Sequence, residues 1–232
     1  MLKLSFEHLF LDISFETDDS FAILGPNGSG KSLLLKIITH ELHPQKLYKR
    51  EVFNKKLTLK EARKIFGTVN NDLEYFYKTQ NIKVKNAILS VFENALDTYD
   101  FHRFTKKDIY RVEEMCELFK LKENQSTYEL SLGEIKKLLI ARALAHKPEI
   151  LCLDEPTNGL DIKAKYEFFK LLESINVKKI LITHDFTEIN SMYSKIIMLS
   201  KGKIFKISDE INKNDLIELF KINEKILKDF YG

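Results

Sequence analysis

Residues that break regular backbone are scarce in this 232-residue sequence, which has 8 Gly and 4 Pro. Glycine stands at about half its usual 7% share and proline is rarer still, which excludes collagen-like, linker-rich and loop-dominated architectures. Cysteine is limited to Cys116 and Cys152. Both lie in apolar surroundings without metal-ligand spacing, so reduced core thiols are expected rather than a disulfide scaffold. The longest stretch free of Asp, Glu, Lys and Arg is 20–30. That is far short of the roughly 18 apolar residues a membrane span requires, and the first residues lack a signal peptide's apolar core. Direct membrane insertion is not expected. Charge of one sign is also missing: 37 Lys+Arg against 34 Asp+Glu leave a net +3. The Lys-Lys pairs at 55–56, 106–107, 136–137 and 178–179 are scattered, without the basic stripe of a nucleic-acid binder, so no nucleic-acid partner is expected.

What is present is a chain 44% hydrophobic and 31% charged, enough for one sizeable core. Leu2, Leu4 and Phe6, then Leu9, Leu11, Ile13 and Phe15, alternate with mostly polar neighbours, the period of two short strands joined by a turn. An apolar run over 20–24 leads into a glycine-rich loop and then a Leu- and Ile-rich helix over 31–39. A short helix at 58–64 and a strand through 64–69 follow. From 84 to 145 the apolar spacing is helical. It runs through Ala87, Ile88, Val91, Phe92 and Ala95, then Ile109, Val112, Met115, Cys116 and Phe119, then Ile135, Leu138 and Leu139. Buried strands return at 150–153 and 179–183, around a helix near 161–175 with Tyr166, Phe169, Leu172 and Ile175 on one face. A hairpin over 196–205 and an amphipathic helix over 215–230 complete the chain. Apolar strands alternating with helices indicate parallel βαβ units.

Gly25, Pro26, Asn27, Gly28, Ser29, Gly30, Lys31 and Ser32 fit the pattern G-x-x-x-x-G-K-[ST] between a strand and a helix. The glycines let successive backbone N–H groups converge on an anion at a helix N-terminus. In this motif the lysine bridges the β- and γ-phosphates, and the serine hydroxyl ligates Mg²⁺. Farther on, four apolar residues over 150–153 deliver Asp154 and Glu155 at a strand's C-terminal end, where open α/β sheets bind ligands. Asp154 is placed for the Mg²⁺ shell and Glu155 to polarise the attacking water.

In order and spacing these motifs resemble those of the ATP-binding cassette (ABC) ATPases. They are Walker A at 25–32, a signature Leu-Ser-Leu-Gly-Glu at 130–134, Walker B at 150–155, a D-loop over 158–161 and a switch histidine, His184. Ser131 precedes Asp154 by 154 − 131 = 23 residues, and His184 follows it by 184 − 154 = 30. The resemblance spans about 2–206. It implies an α/β P-loop NTPase core, a mostly parallel sheet with helices on both faces plus a small antiparallel N-terminal β-subdomain, carrying a helical insertion. The single domain 1–232 would divide into an α/β core over about 1–83 and 147–206, a helical subdomain over about 84–146, and a helical tail over about 207–232. The resemblance also implies ATP and Mg²⁺ as ligands. Two cassettes, here as a homodimer, would pair head to tail around two ATP, with Ser131, Gly133 and Glu134 meeting the partner's nucleotide. His184 would sense the γ-phosphate, and Asp161 would link the paired sites.

Three positions depart from the family pattern. The glutamine that usually follows the strand at 66–69 is missing; Asn71 is the replacement expected by spacing, with Glu74 the alternative and Gln80 too distant. The adenine-stacking aromatic is Phe6 or Phe10, with a plain core role for both as the equal alternative. Leu132 replaces the first glycine of the signature. The leading function is a Mg²⁺-dependent ATPase subunit working with a polytopic membrane permease, an importer in preference to an exporter, peripheral on the cytoplasmic face. A soluble cassette acting on ribosomes or DNA is the alternative. The aromatics Phe92, Tyr99, Phe101, Phe104, Tyr110 and Phe119 are read mainly as core, the other choice being a groove for the permease.

Overall fold

A computed structural model describes residues 1–98 and 103–231, apart from the side chains of Lys228, Phe230 and Tyr231. Tyr99, Phe101 and Gly232 therefore lie outside the described residues. The chain runs β1 (Leu2–His8), β2 (Leu11–Thr17), β3 (Phe21–Leu24), α1 (Lys31–Ile38), β4 (Lys46–Val52), α2 (Leu59–Ile65) and β5 (Phe66–Val69). It continues with α3 (Asn71–Thr79), α4 (Val84–Leu89), α5 (Lys106–Phe119), α6 (Leu132–Ala145), β6 (Ile150–Asp154) and α7 (Ile162–Ser174). Last come β7 (Lys178–Thr183), β8 (Lys195–Ser200), β9 (Lys203–Ser208), α8 (Lys213–Phe220) and α9 (Glu224–Tyr231). These elements make a mixed α/β fold of two compact units.

The first unit comprises Met1–Ala62 and the chain from Lys178 onward. Its strands lie in the order β4-β1-β2-β9-β8-β3-β7. The β1, β2 and β4 ladders are antiparallel, whereas β3 runs parallel to both β7 and β8. β2 alternates strictly, burying Leu11, Ile13, Phe15 and Thr17, because one of its faces meets the core. All four residues of β3 are buried, as expected of a parallel strand covered on both faces. Leu24, Ile196, Met198, Leu216, Leu219 and Leu227 form a buried cluster that ties α8 and α9 to the strands. Burial of each such side chain contributes about 1.5–3 kcal/mol.

The second unit, Arg63–Val177, is built on α6, which packs against α3, α4, α5 and β5. Alongside, β5 and β6 form a parallel pair with Val69 opposite Leu153. Inside this unit Lys136 of α6 is 2% exposed and pairs with Glu74 at 2.5 Å. Arg142 donates to the Ala95 carbonyl at 2.6 Å.

Several expectations need revision. β4 was not anticipated, because its charged residues face solvent along a sheet edge and show no apolar alternation. Nor was α3, whose first turn is polar and which the N-cap Asn70 starts directly after β5. The helix expected over 215–230 is two. Lys221 adopts φ 54 and its N–H bonds the Ile217 carbonyl, closing α8, and the Asn223 side chain accepts from Ile226 N to start α9. On α7 the buried stripe is Phe168 and Leu172, while Tyr166 is 64% exposed. Of the aromatics read as core, Phe119 is buried, Phe92 and Phe104 are half-buried, and Tyr110 is exposed. Cys116 and Cys152 are buried and not in a disulfide, and burial pushes the Cys116 thiol up to about 12.

Candidate functional site

The first unit holds the phosphate loop between β3 and α1. Lys31 is 5% exposed, and its ammonium donates to the carbonyls of Gly25 at 2.8 Å and Pro26 at 3.1 Å, which keeps it over the loop. Gly28 and Gly30 have φ of 76° and 100°, backbone that L side chains adopt rarely. The Ser29 hydroxyl is buried in the loop with no hydrogen-bond partner among the described residues. A buried ammonium and a helix N-terminus at a glycine-rich loop make a cradle for an anion. In the parallel β3–β7 pair Leu24 is opposite Thr183, and Gly25 N donates to the Thr183 carbonyl at 3.3 Å. His184 therefore emerges beside the start of the phosphate loop. Its turn is held by the Thr183 hydroxyl, which donates to Glu188 at 2.7 Å and accepts from Asp185 N at 2.9 Å.

Of the two aromatic candidates, Phe6 is fully buried and has no free ring face, so the base-stacking expectation fails for it. Phe10, at the β1–β2 turn, is 52% exposed. A Cβ on Gly30 would come within 3.2 Å of its ring, and one on Gly202 would lie 2.2 Å from its carbonyl oxygen. Gly202 also donates its N–H to the Ser29 carbonyl at 3.1 Å. The β8–β9 turn is thus part of the phosphate-loop surroundings. Nothing in the sequence near Gly202 signals this, because the two stretches are about 170 residues apart.

The second unit carries the acidic strand end. Asp154 closes β6, and Glu155 follows in left-handed backbone, φ 47, an uncommon conformation for a residue with a Cβ. Its carboxylate accepts a hydrogen bond from the Asn158 side-chain amide at 2.6 Å. The β5–β6 pairing ends at Val69 opposite Leu153, and next comes Asn70, the N-cap of α3. Its side-chain oxygen accepts from Leu73 N at 2.9 Å, and Asn71 is an exposed first residue of α3. The alternative, Glu74, is committed to Lys136 instead.

Ser131 caps α6 in a reciprocal box with Glu134: the Ser131 hydroxyl and backbone N–H donate to the Glu134 carboxylate at 2.7 and 2.9 Å. These bonds hold the Glu134 carboxyl below the usual carboxylate range. Gly133 lies in the first turn with open space where a Cβ would stand. Asp161 caps α7, accepting from Ala164 N at 2.8 Å. A cavity of about 210 Å³ within this unit is lined by Ser131, Gly133, Glu134, Leu160 and Phe168. Among the described residues no group of three or more His, Cys, Asp or Glu is placed to hold a metal, and no helix is long and apolar enough to cross a membrane.

A complete phosphate loop at a strand–helix junction, with a strand-end histidine beside it and a capped signature helix elsewhere in the chain, defines a P-loop nucleotide-binding protein of the cassette class. The chain belongs to the ABC transporter family, whose model matches residues 10–158. It is an ATP-binding subunit of that type. Relatives include the energy-coupling factor transporter ATP-binding protein EcfA2 of Caldanaerobacter subterraneus subsp. tengcongensis, 34% identical over 83% of this chain and 69% of the relative. The zinc uptake system ATP-binding protein ZurA of Listeria innocua is 30% identical, over 86% of this chain and 79% of the relative. Among solved structures, cbiO1 from Clostridium perfringens, part of the ABC transporter complex cbiONQ, superimposes with a TM-score of 0.75 at 22% identity, covering 98% of this chain and 93% of that one. The dimeric cassette MJ0796 bound to ADP and Pi gives 0.71 at 22%, covering 91% and 100%. These two structures share the fold.

Proposed function

We propose that this chain hydrolyses ATP with Mg²⁺ as one of two identical cassettes that close head to tail around two nucleotides and drive a separate membrane permease. The observation that carries the reading is the phosphate cradle with Lys31 held over it and His184 in register beside it. Relatives named for zinc uptake and for an energy-coupling factor transporter support import as the direction and the cytoplasmic face of a membrane as the location. The packing of α4 and α5 on α6 supports a helical subdomain over about 84–146, set in a core over about 1–83 and 147–206 and followed by a tail over about 207–232.

In this reading the backbone N–H groups of 25–32 bind the phosphates, and the Lys31 ammonium exchanges loop carbonyls for β- and γ-oxygens. Phe10 offers its exposed ring to the adenine. The hydroxyl of Ser32 and the carboxylate of Asp154 are hard oxygen donors, the set that suits Mg²⁺, which keeps several waters and binds through one or two carboxylates and the substrate phosphates. Mg²⁺ there would neutralise charge developing on the phosphates. Glu155 takes a proton from the attacking water, and His184 reaches the γ-phosphate from the β7 end. Ser131 and Gly133, at a positive helix end, meet the partner's nucleotide together with Glu134, and Asp161 links the two sites. Asn71, the exposed first residue of α3, offers its amide in place of the family's glutamine.

Glu155→Gln is expected to keep ATP binding, lower turnover by about 10²-fold or more and accumulate an ATP-bound dimer in size-exclusion chromatography. Turnover near wild type would remove Glu155 from its role.

A further inference from the structure

The D-loop of this chain is tied to two other parts of its own unit. At one end Asn158 donates to the Glu155 carboxylate at 2.6 Å, and its backbone N–H bonds the Glu155 carbonyl at 3.3 Å. The next residue, Gly159, has φ 78 and passes so close to α6 that a Cβ on it would lie 2.9 Å from Cδ2 of Leu132. Leu132 is the side chain that replaces a glycine in the signature. The larger residue on the signature side thus meets the residue with no side chain on the D-loop side. Farther on, Leu160 N bonds the Thr157 carbonyl at 3.0 Å, and Asp161 caps α7, so the segment is pinned beyond the contact as well.

Glu155 itself is in left-handed backbone, with φ 47. A residue with a Cβ stays in that region only when its surroundings hold it there. The two hydrogen bonds from Asn158 are such a restraint, and the Leu132 contact limits where Asn158 can move.

We propose that Asn158 is a positioning residue for Glu155, and that Leu132 sets Asn158 through Gly159. The start of the signature helix and the carboxylate of the same chain are then one mechanical unit. This rests on the assignment of Glu155 as the proton acceptor.

The test uses the full chain, with ATP affinity and thermal unfolding measured for every variant. Asn158→Ala is expected to lower kcat roughly ten-fold, the scale of a hydrogen bond to a charged group, with ATP affinity and unfolding temperature near wild type. Asn158→Ser keeps a side-chain donor toward the Glu155 carboxylate, so it should recover part of the lost kcat at unchanged ATP affinity. A merely structural role would lower ATP affinity or the unfolding temperature together with kcat. Leu132→Ala is expected to lower kcat by less than Asn158→Ala, and the double variant should be no slower than Asn158→Ala alone, since one change acts through the other. Multiplicative losses in the double variant would overturn the link to the signature. Wild-type kcat in Asn158→Ala, or no recovery in Asn158→Ser, would overturn the positioning role. Glu155→Gln serves as the control: if it retains turnover, the assignment of Glu155 fails, whereas an inactive Glu155→Gln beside normal Asn158 variants sinks the present proposal alone.

Discussion

At the scale of single residues, local sequence identifies which chemistry is present but not which of two similar neighbours carries it. Phe6 and Phe10 are both phenylalanines near the same turn, and only burial separates them. Phe10→Ala is expected to weaken ATP binding about ten-fold through lost base stacking while tripolyphosphate binds as before. Equal losses for both ligands in calorimetry would mean that the ring supports the loop instead of the base. His40 is a second case. It follows α1 with φ 65, its Nε2 is buried without a partner among the described residues, and Arg50 stands nearby. Burial first, then Arg50 and His43, press it down from 6.5 to about 4. The folded value lies below the unfolded one, so protonation favours unfolding. Stability is full above about pH 6.5 and falls as pH drops through about 4. Urea midpoints measured across that window should flatten in His40→Asn, and an unchanged slope would remove His40 as the cause.

At the scale of elements, α6 explains why Glu74 is not a metal sensor. The helix is buried almost all round, with ten of its residues from Ile135 to Ala145 in the core, and Lys136 is among them. A buried ammonium needs a counter-charge, and Glu74 at 2.5 Å from α3 supplies it. Taking away one member of such a pair leaves an uncompensated charge and costs about 3–5 kcal/mol, whereas replacing both with apolar groups restores much of the loss. Glu74→Gln should therefore lower the urea midpoint markedly and leave Mg²⁺ dependence alone, with Glu74→Leu/Lys136→Met recovering stability. A shift in Mg²⁺ requirement without a change in midpoint would return Glu74 to the nucleotide site. Elements with strong apolar periodicity, such as β2, were legible from sequence. β4 and α3 were not, since an edge strand with charged faces and a short capped helix show little periodicity.

At the scale of the whole molecule, the proposed assembly makes each nucleotide site from two chains. Lys31→Ala and Ser131→Arg should each abolish turnover as pure proteins. Mixed in equal amounts, they form heterodimers in which one site has both its phosphate loop and its facing signature intact. About a quarter of wild-type turnover is the most that can return, since half of the dimers are mixed and each has one good site. Activity that stays absent in a mixture shown to exchange subunits would reject the head-to-tail pairing.

The motifs, their order and the class of chemistry were determined by sequence alone, because phosphate binding demands glycines, a lysine and a hydroxyl at fixed local spacing, and local spacing survives in one dimension. So was the alternation of strands and helices, since burial on one or both faces leaves a periodic trace. Only the tertiary structure decided that Gly202 belongs to the phosphate-loop surroundings, that Glu74 answers Lys136 and that Leu132 fits against Gly159. Each of these is a contact between residues far apart along the chain. Their spacing in sequence is set by the lengths of the intervening elements and not by the chemistry of the contact, so no pattern in the chain announces them.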